Sequence, residues 1–212
     1  MWEILDKIKH LHNRALRGNF YLVLIIIIGA FVRFYLFTQN PPSLYVDEVS
    51  HGYNAYSILK TGRDEYGEFM PFFIRSFNTW NPPLAVYTLV PTIAIFGLNE
   101  FAVRLPSAVA GTLLIPLLYL LVLKLFKDKN LALISAFFLA INPWAIHFSR
   151  FYHESNLTLF FSLLGLVLFL HADKKYFLYL LSALSWGVAI NYSHGAKVIV
   201  PLLIIISTIL YL

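Results

Sequence analysis

The sequence predicts an all-α protein, a polytopic bundle of transmembrane helices. Hydrophobic residues make up 59% of its 212 residues and charged residues only 13%, about half of the roughly 25% charged residues in soluble domains. Mean hydropathy is +0.70, and the apolar residues fall in runs that approach the roughly 20 needed to cross a bilayer. The formal net charge of +5 does not indicate nucleic acid as a partner, because the basic residues lie between the apolar runs.

The first predicted span is Phe20–Phe37, and Arg33 is expected to snorkel from its outer end. Residues 1–19 before it are basic and are predicted to be a cytoplasmic N-terminus. Residues 38–102 are predicted to form an outer loop with juxtamembrane helices. One of these helices is expected at Asp47–Lys60, and the apolar run Pro82–Phe96 is too short to span and is expected to be interfacial or re-entrant.

The rest of the chain alternates apolar runs with short polar loops, one of which is predicted at Ser149–Asn156. The predicted spans are Val103–Phe126, Leu131–Phe148, Leu157–His171, Tyr176–Asn191 and a last one from Lys197 to Leu212. Because that last run is still apolar where the sequence stops, we expect the membrane domain 20–212 to be incomplete at its C-terminus.

The distribution of basic residues gives an orientation for these spans. If Pro82–Phe96 does not cross, then the N-terminus and the loops around Lys127 and Lys174 lie on the cytoplasmic side, as the positive-inside rule requires. The acidic residues after the first span and the polar residues 150–154 then share the opposite face. The sequence therefore predicts a multi-pass protein of the cell membrane whose active face is non-cytoplasmic.

The first polar cluster follows the first span and contains Asp47, Glu48 and His51. At 3.6 residues per turn, Asp47, His51 and Asn54 share one stripe of a helix. Paired carboxylates at a membrane surface suit a general base, a metal ligand or both. The alternative is that Asp47 caps the helix and Glu48 stabilises its dipole.

The second cluster contains Arg150, His153 and Glu154. Arg150 can pair with a phosphate, and the other two offer a proton-transfer group or a metal ligand. The alternative is an interfacial aromatic belt with Tyr152 and Trp144. Weaker candidates for phosphate contact are Arg104 at the start of the second span and Lys197 in a third outer patch, and the chain has no cysteine to supply thiolate ligands.

The order of these residues resembles the membrane glycosyltransferases of the GT-C superfamily. It is most similar to the protein O-mannosyltransferases and lipid A aminoarabinose transferases, that is, to glycosyltransferase family 39. The motifs that carry the resemblance are Val46-Asp47-Glu48, Asn81-Pro82-Pro83-Leu84, Phe96-Gly97-Leu98-Asn99-Glu100-Phe101-Ala102-Val103-Arg104-Leu105-Pro106-Ser107, Asn142-Pro143-Trp144 and Phe148-Ser149-Arg150.

This resemblance implies a hexosyl- or pentosyltransferase that takes its sugar from a polyprenyl-phosphate-linked donor. It implies that Asp47 is the catalytic base with Glu48 beside it. Substrate or phosphate contacts are expected from His51, Arg104, Arg150, Glu154 and Lys197. A divalent metal is left open, with Asp47, Glu48, His153 and Glu154 as its candidate ligands, and the acceptor can be a lipid, a protein or a wall polymer.

Two other functions fit the sequence less well. A flippase or transporter of a lipid-linked substrate needs polar residues deep within its spans, and the polar residues here gather at one face. A non-catalytic assembly subunit that keeps the fold is the other alternative, and an assay for sugar transfer from a polyprenyl-phosphate sugar separates it from the enzyme.

Overall fold

The computed structural model describes residues 20–77, 79–173 and 175–211, and they form an all-α fold with one small hairpin. The predicted cytoplasmic N-terminus, residues 1–19, and Lys174 of the second basic loop lie outside these ranges. The helices are α1 Phe20–Phe34, α2 Val46–Thr61, α3 Leu84–Tyr87, α4 Leu89–Phe96, α5 Glu100–Phe126, α6 Lys129–Ile141, α7 Pro143–Arg150, α8 Glu154–Leu170, α9 Tyr176–Ile190 and α10 Ala196–Tyr211. The strands are β1 Ile74–Ser76 and β2 Thr79–Asn81, which pair antiparallel.

One helix in the described part of the chain, α5, is long and apolar enough by itself to cross a membrane. It has 27 residues, and at 1.5 Å per residue it reaches about 40 Å. Helices α6 and α7 meet the same criteria only as a bent pair, and α1, α8, α9 and α10 are apolar but shorter, at 10–17 residues each. The all-α class is therefore confirmed, while the multi-pass arrangement stays a prediction.

The predicted span Leu131–Phe148 is not one continuous helix, because the chain bends by 55° between α6 and α7. The break lies at Asn142-Pro143, where the Asn142 side chain accepts a hydrogen bond from Ala145 N at 3.0 Å and begins α7. Proline has no N–H, so the carbonyl of Leu139, four residues earlier, loses its helical donor. Arg33 replaces that donor, with Nη2 3.1 Å from Leu139 O and Nη1 3.0 Å from Ala140 O.

Arg33 is therefore fully buried, and the prediction that it snorkels to the surface is wrong. Its Nε also donates to Ser149 Oγ at 3.2 Å, which joins α1 to α7. Gly111 of α5 makes room for this contact, since a Cβ at that position would lie 1.9 Å from Ser149 Oγ. The free carbonyls left by the bend explain why a guanidinium is stable inside an apolar bundle.

Residues 38–102 contain helices in the two regions where the sequence predicted them, and these helices pack on the start of α5. Helix α2 covers the expected range Asp47–Lys60, and the short run Pro82–Phe96 becomes α3 and α4. Buried apolar residues join these helices to α5 and α8, including Ala55, Ile74, Leu89, Val103 and Leu157. The β1–β2 hairpin is attached to α2 by a 2.6 Å hydrogen bond between Ser76 Oγ and Ser50 Oγ.

Candidate functional site

The structure brings the first and second polar clusters together. Oε1 of Glu48 accepts a hydrogen bond from Tyr152 N at 2.8 Å, although the two residues are 104 positions apart. The rings of His51 and Tyr152 meet edge to face with centroids 5.9 Å apart. The beginning of α2 and the connection between α7 and α8 therefore form one site.

Glu48 is a fully buried carboxylate with both oxygens engaged. Besides Tyr152 N, it accepts from Tyr45 N at 2.9 Å and from Arg104 Nε and Nη2 at 3.0 and 3.3 Å. The bond from Tyr45 N closes a capping box at the start of α2. These contacts give Glu48 a structural role, so the expectation that it acts as a second catalytic or metal-binding carboxylate has no support in the geometry.

Arg104 is the counterion of Glu48, and its remaining N–H groups are also engaged. Nη1 donates to the carbonyls of Phe37, Thr38 and Pro41 at 2.8, 3.4 and 2.9 Å. Nη2 donates to Ser43 O at 2.7 Å. The guanidinium is fully buried and holds the loop between α1 and α2 against α5, and the contact of Arg104 with a substrate phosphate stays a prediction.

Arg150 has a similar role at the end of α1. Its guanidinium donates to Asn40 O at 3.0 Å, Val32 O at 3.1 Å and Tyr35 O at 2.8 Å. A cation at the carbonyl end of a helix is favourable, and the binding of phosphate by Arg150 stays a prediction. The predicted loop Ser149–Asn156 is also shorter than expected, because α7 continues to Arg150 and α8 starts at Glu154.

Asp47 differs from its neighbour because its carboxylate is free. Within the described ranges it is half-buried and makes no hydrogen bond or ion pair. The alternative that Asp47 caps the helix is not observed, since the N-cap is Tyr45 and the carboxylate in the capping box belongs to Glu48. Asp47 is thus an unpaired carboxylate on a backbone that the Glu48–Arg104 pair fixes.

His51 lies one turn after Asp47 on α2 and is buried. Its Nε2 lies 3.2 Å from Asn81 Nδ2 of the hairpin, and its Nδ1 has no partner. Burial lowers the pKa of His51, while the negative charges of Glu154 and Asp47 oppose this shift and a proton on the neighbouring His153 adds to it. The ring is therefore neutral at neutral pH and lies within reach of the charges of both clusters.

His153 and Glu154 stand at the beginning of α8, with His153 Nδ1 3.6 Å from Glu154 Oε2. The same Nδ1 accepts from Ser155 N at 3.1 Å, so a neutral His153 carries its proton on Nε2. Among the described residues, no three histidine or acidic side chains are grouped as metal ligands are. The candidate set of Asp47, Glu48, His153 and Glu154 is therefore not assembled as a metal site.

A cavity of about 490 Å³ opens beside the junction of the two clusters, within the usual range for ligand sites. Glu48, His147 and His153 contribute its titratable groups, and Tyr45, Phe148 and Phe151 contribute aromatic walls. Lys197 lies elsewhere: it is exposed, 3.5 Å from His194 Nδ1 and over the ring of Phe73. The structure does not bring Lys197 to this cavity.

Three site residues had weak or misread signals in the sequence. Tyr152, which the alternative interpretation placed in an interfacial aromatic belt, is fully buried and donates its hydroxyl to Ala85 O at 2.6 Å. Trp144 is 72% exposed, which suits the belt. His147 lines the cavity and Asn81 binds His51. In the sequence, His147 only lies near the motif Asn142-Pro143-Trp144, and Asn81 is the first residue of the motif Asn81-Pro82-Pro83-Leu84.

Comparison with known proteins identifies the family. The sequence model described as "Dolichyl-phosphate-mannose-protein mannosyltransferase" matches residues 23–212. The chain belongs to this family. The chain is also 28% identical over 160 residues to "Putative mannosyltransferase YkcB" and 27% identical over 160 residues to "Putative mannosyltransferase YycA", both of Bacillus subtilis. It is 30% identical over 148 residues to an uncharacterized protein of Aquifex aeolicus.

These matches cover most of the chain but a minority of each relative. They take in 73%, 73% and 68% of the chain, and 21%, 22% and 34% of the respective relatives. No solved structure matches the chain significantly. The family membership agrees with the resemblance in the motifs, and the chain corresponds to about a fifth to a third of the length of the relatives it matches.

Proposed function

We propose that the protein is a multi-pass membrane glycosyltransferase that moves a sugar from a polyprenyl-phosphate donor to an acceptor on the non-cytoplasmic face. The observation that carries this proposal is the contrast between Asp47 and Glu48. One carboxylate is saturated by hydrogen bonds and immobile, and the next is unpaired and lies in the chain between Val46 and Glu48, which line the cavity. A free carboxylate on a fixed backbone suits a general base.

In the proposed reaction, Asp47 takes the proton from a hydroxyl or amine of the acceptor. The acceptor's lone pair forms the new bond to the anomeric carbon of the sugar. The bond from that carbon to the phosphate oxygen breaks, and its electron pair leaves with the polyprenyl phosphate. Attack from the side opposite the leaving group inverts the anomeric centre.

The charge that develops on the leaving phosphate needs donors and a positive field. His153, with its proton on Nε2, and His147 line the cavity and are the proposed contacts. Arg104 and Arg150 are held by protein oxygens and act on this charge through their field alone. Arg150 binds three carbonyls and no carboxylate, so its positive charge is not neutralised locally.

The location of the site suits a lipid-linked donor. We propose that α1, the outer loop and α5 form the entrance by which a donor in the membrane reaches the site in domain 20–212. Residues 38–102 then lie outside the hydrocarbon region. The headgroup then reaches Asp47 while the polyprenyl chain stays in the bilayer. The names of two relatives contain the word mannosyltransferase, which makes polyprenyl-phosphate mannose the first donor to test.

The test is sugar transfer by the full-length protein and its Asp47→Asn variant in membranes. We expect transfer from polyprenyl-phosphate mannose or a related sugar, and a loss of at least about a hundredfold in the variant, in the usual range for a general base. Asp128→Asn is the matched control, because Asp128 caps α6 and asparagine caps as well as aspartate. Transfer by folded Asp47→Asn at the wild-type rate overturns the assignment of the base.

A further inference from the structure

The hydrogen bond between the hairpin and α2 determines where the proton of His51 lies. Asn81 Nδ2, 3.2 Å from His51 Nε2, is an amide nitrogen that can only donate. Nε2 must therefore accept, and a neutral imidazole then carries its proton on Nδ1. Burial, which lowers the pKa of His51, keeps the ring in this neutral form.

The Nδ1–H group is buried and has no acceptor among the described residues. An unsatisfied buried donor is costly, at about 1–3 kcal/mol, and such groups are rare in folded proteins. Since His51 is only 3% exposed, a ligand cannot contact Nδ1 from solvent. The acceptor must come from a side chain that is already next to the ring.

Two carboxylates act on the His51 ring, those of Glu154 and Asp47. Glu154 already lies 3.6 Å from His153 Nδ1, which leaves Asp47, on the same helix as His51, as the unpaired carboxylate. Side chains of a helix lean towards its N-terminus, so residues four apart lie one above the other, and His51 leans over the turn that holds Asp47. The Asp47 carboxylate is unpaired and half-buried, and its charge acts on the His51 ring. Because Asp47 makes no hydrogen bond or ion pair within the described ranges, no contact has to break for its side chain to turn towards Nδ1–H.

We propose that His51 is a positioning residue for Asp47, with Asn81 fixing the tautomer that makes this possible. The inference rests on the proposed function and adds to it a chain of hydrogen bonds that runs from Asn81 through His51 to Asp47. When substrate displaces water from the cavity, Nδ1–H holds one oxygen of Asp47, and the other oxygen faces the acceptor. The charged groups that act on His51 are Asp47 from its own helix and His153 and Glu154 from the start of α8.

The hairpin is built to hold Asn81 in place. Asn81 pairs with Ile74, whose side chain is fully buried, and Trp80 O lies 2.8 Å from His194 Nε2 in the connection before α10. Asn81 is therefore fixed from both sides. The hairpin serves as a support for the base on α2.

The kinetic test compares His51→Phe, which keeps the ring volume and removes both nitrogens, with the wild-type protein. A hydrogen bond to a charged group corresponds to about tenfold to hundredfold in rate, so we expect kcat to fall by that factor with an unchanged KM for the donor. The acidic limb of the pH–rate profile moves to higher pH, because the ionised carboxylate loses an N–H donor that stabilises it. His171→Phe, at the far end of α8, is the control and keeps the wild-type profile.

Asn81→Leu is the second variant, and it keeps the inference testable if His51→Phe fails to fold. It leaves the imidazole intact but removes the donor that fixes the tautomer, so a smaller shift of the same acidic limb is expected. A wild-type kcat and pH limb in either folded variant overturns the inference.

A spectroscopic test separates this inference from the proposed function. In the full-length protein labelled with ¹⁵N-histidine, the His51 nitrogens are expected to show the Nδ1–H tautomer. On addition of polyprenyl phosphate, the Nδ1–H proton is expected to shift in the wild type and in Asp128→Asn but not in Asp47→Asn. The Nε2–H tautomer, or the same shift in Asp47→Asn, overturns the inference even where sugar transfer is established. Absence of sugar transfer with the expected spectra instead counts against the proposed function.

Discussion

Arg104 and Glu48 form a fully buried ion pair, with Nε 3.0 Å from Oε1, between the long apolar helix α5 and the first turn of α2. The same guanidinium binds four carbonyls of residues 37–43. The Arg104 guanidinium of α5 thus joins this helix to the loop after α1 and to the start of α2. Asp47, adjacent in the chain to Glu48, takes its position from this pair.

The first prediction concerns the stability of this pair. In Arg104→Met, the Glu48 carboxylate stays buried without its counterion, a change that costs about 3–5 kcal/mol when one partner of a buried pair is removed. We expect a clear drop in the melting temperature of the detergent-solubilised protein. Asp47→Asn, which breaks no described contact, is expected to melt near the wild-type temperature.

A double variant shows whether charge is the cause. In Arg104→Met/Glu48→Gln, no unpaired charge remains, and the glutamine carbonyl can still accept from Tyr152 N or Tyr45 N. The double variant is therefore expected to be more stable than Arg104→Met alone. Equal or greater destabilisation contradicts the assignment of Glu48 as the buried counterion.

The second prediction concerns Arg33 and the bend between α6 and α7. Arg33→Met leaves the carbonyls of Leu139 and Ala140 without donors, and each unsatisfied buried group costs about 1–3 kcal/mol. In Pro143→Ala, residue 143 regains an N–H that can bond to Leu139 O. The expected result is that Arg33→Met destabilises the protein less in the Pro143→Ala background than in the wild type.

Thermal unfolding of the wild type, the two single variants and the double variant completes this cycle. The coupling is the difference between the effect of Arg33→Met on stability in the wild type and its effect in the Pro143→Ala background. Additive effects would show that Arg33 and the bend are independent, since uncoupled sites add within about 0.5 kcal/mol.

The roles of the arginines are the part of the site that the sequence did not reveal. Arg33, Arg104 and Arg150 each follow an apolar run closely enough to indicate snorkelling or phosphate contact. Their actual partners are mainly backbone carbonyls, some of them more than 60 residues away. Every residue has a carbonyl, so no sequence pattern marks the ones that lack a donor. Pro143 was visible in the sequence as a residue that breaks a helix. Because residues 131–148 have a continuous apolar composition, we nevertheless predicted a single span there.

The sequence was more informative where side chains determine local structure. Turn residues and acids predicted a non-spanning loop after α1, and the spacing of Asp47, His51 and Asn54 predicted α2 to within one residue at each end. The positive-inside argument placed residues 47–48 and 150–154 on the same face, and the structure joins them through Tyr152. Which of two adjacent carboxylates is free depends on long-range contacts, which spacing alone does not give.

The third prediction uses two helical glycines that differ in their surroundings. A Cβ on Gly111 would lie 1.9 Å from Ser149 Oγ and 2.7 Å from Ser149 Cβ, whereas one on Gly187 meets nothing within 4 Å. Gly111→Ala must displace Ser149 and with it the bond to Arg33, so we expect a fall in melting temperature. Gly187→Ala is the matched control and is expected to leave stability unchanged or raise it slightly, because alanine favours helix by about 1 kcal/mol.

The fourth prediction concerns the pH dependence of stability. Because burial lowers the pKa of His51 below its ordinary value, the unfolded chain binds a proton at this residue at a higher pH than the folded protein does. The free energy of unfolding therefore decreases as pH falls below about 6.5, the ordinary histidine pKa, until the folded pKa is passed. His51→Gln cannot bind this proton, so its melting temperature is expected to fall less between pH 7.5 and 5.5 than that of the wild type. The melting temperature of each protein at pH 8 is the reference for that protein. This comparison separates the effect of protonation from any loss of packing that the substitution causes. An identical acid-dependent fall in both proteins would show that His51 is not the group that couples protonation to unfolding.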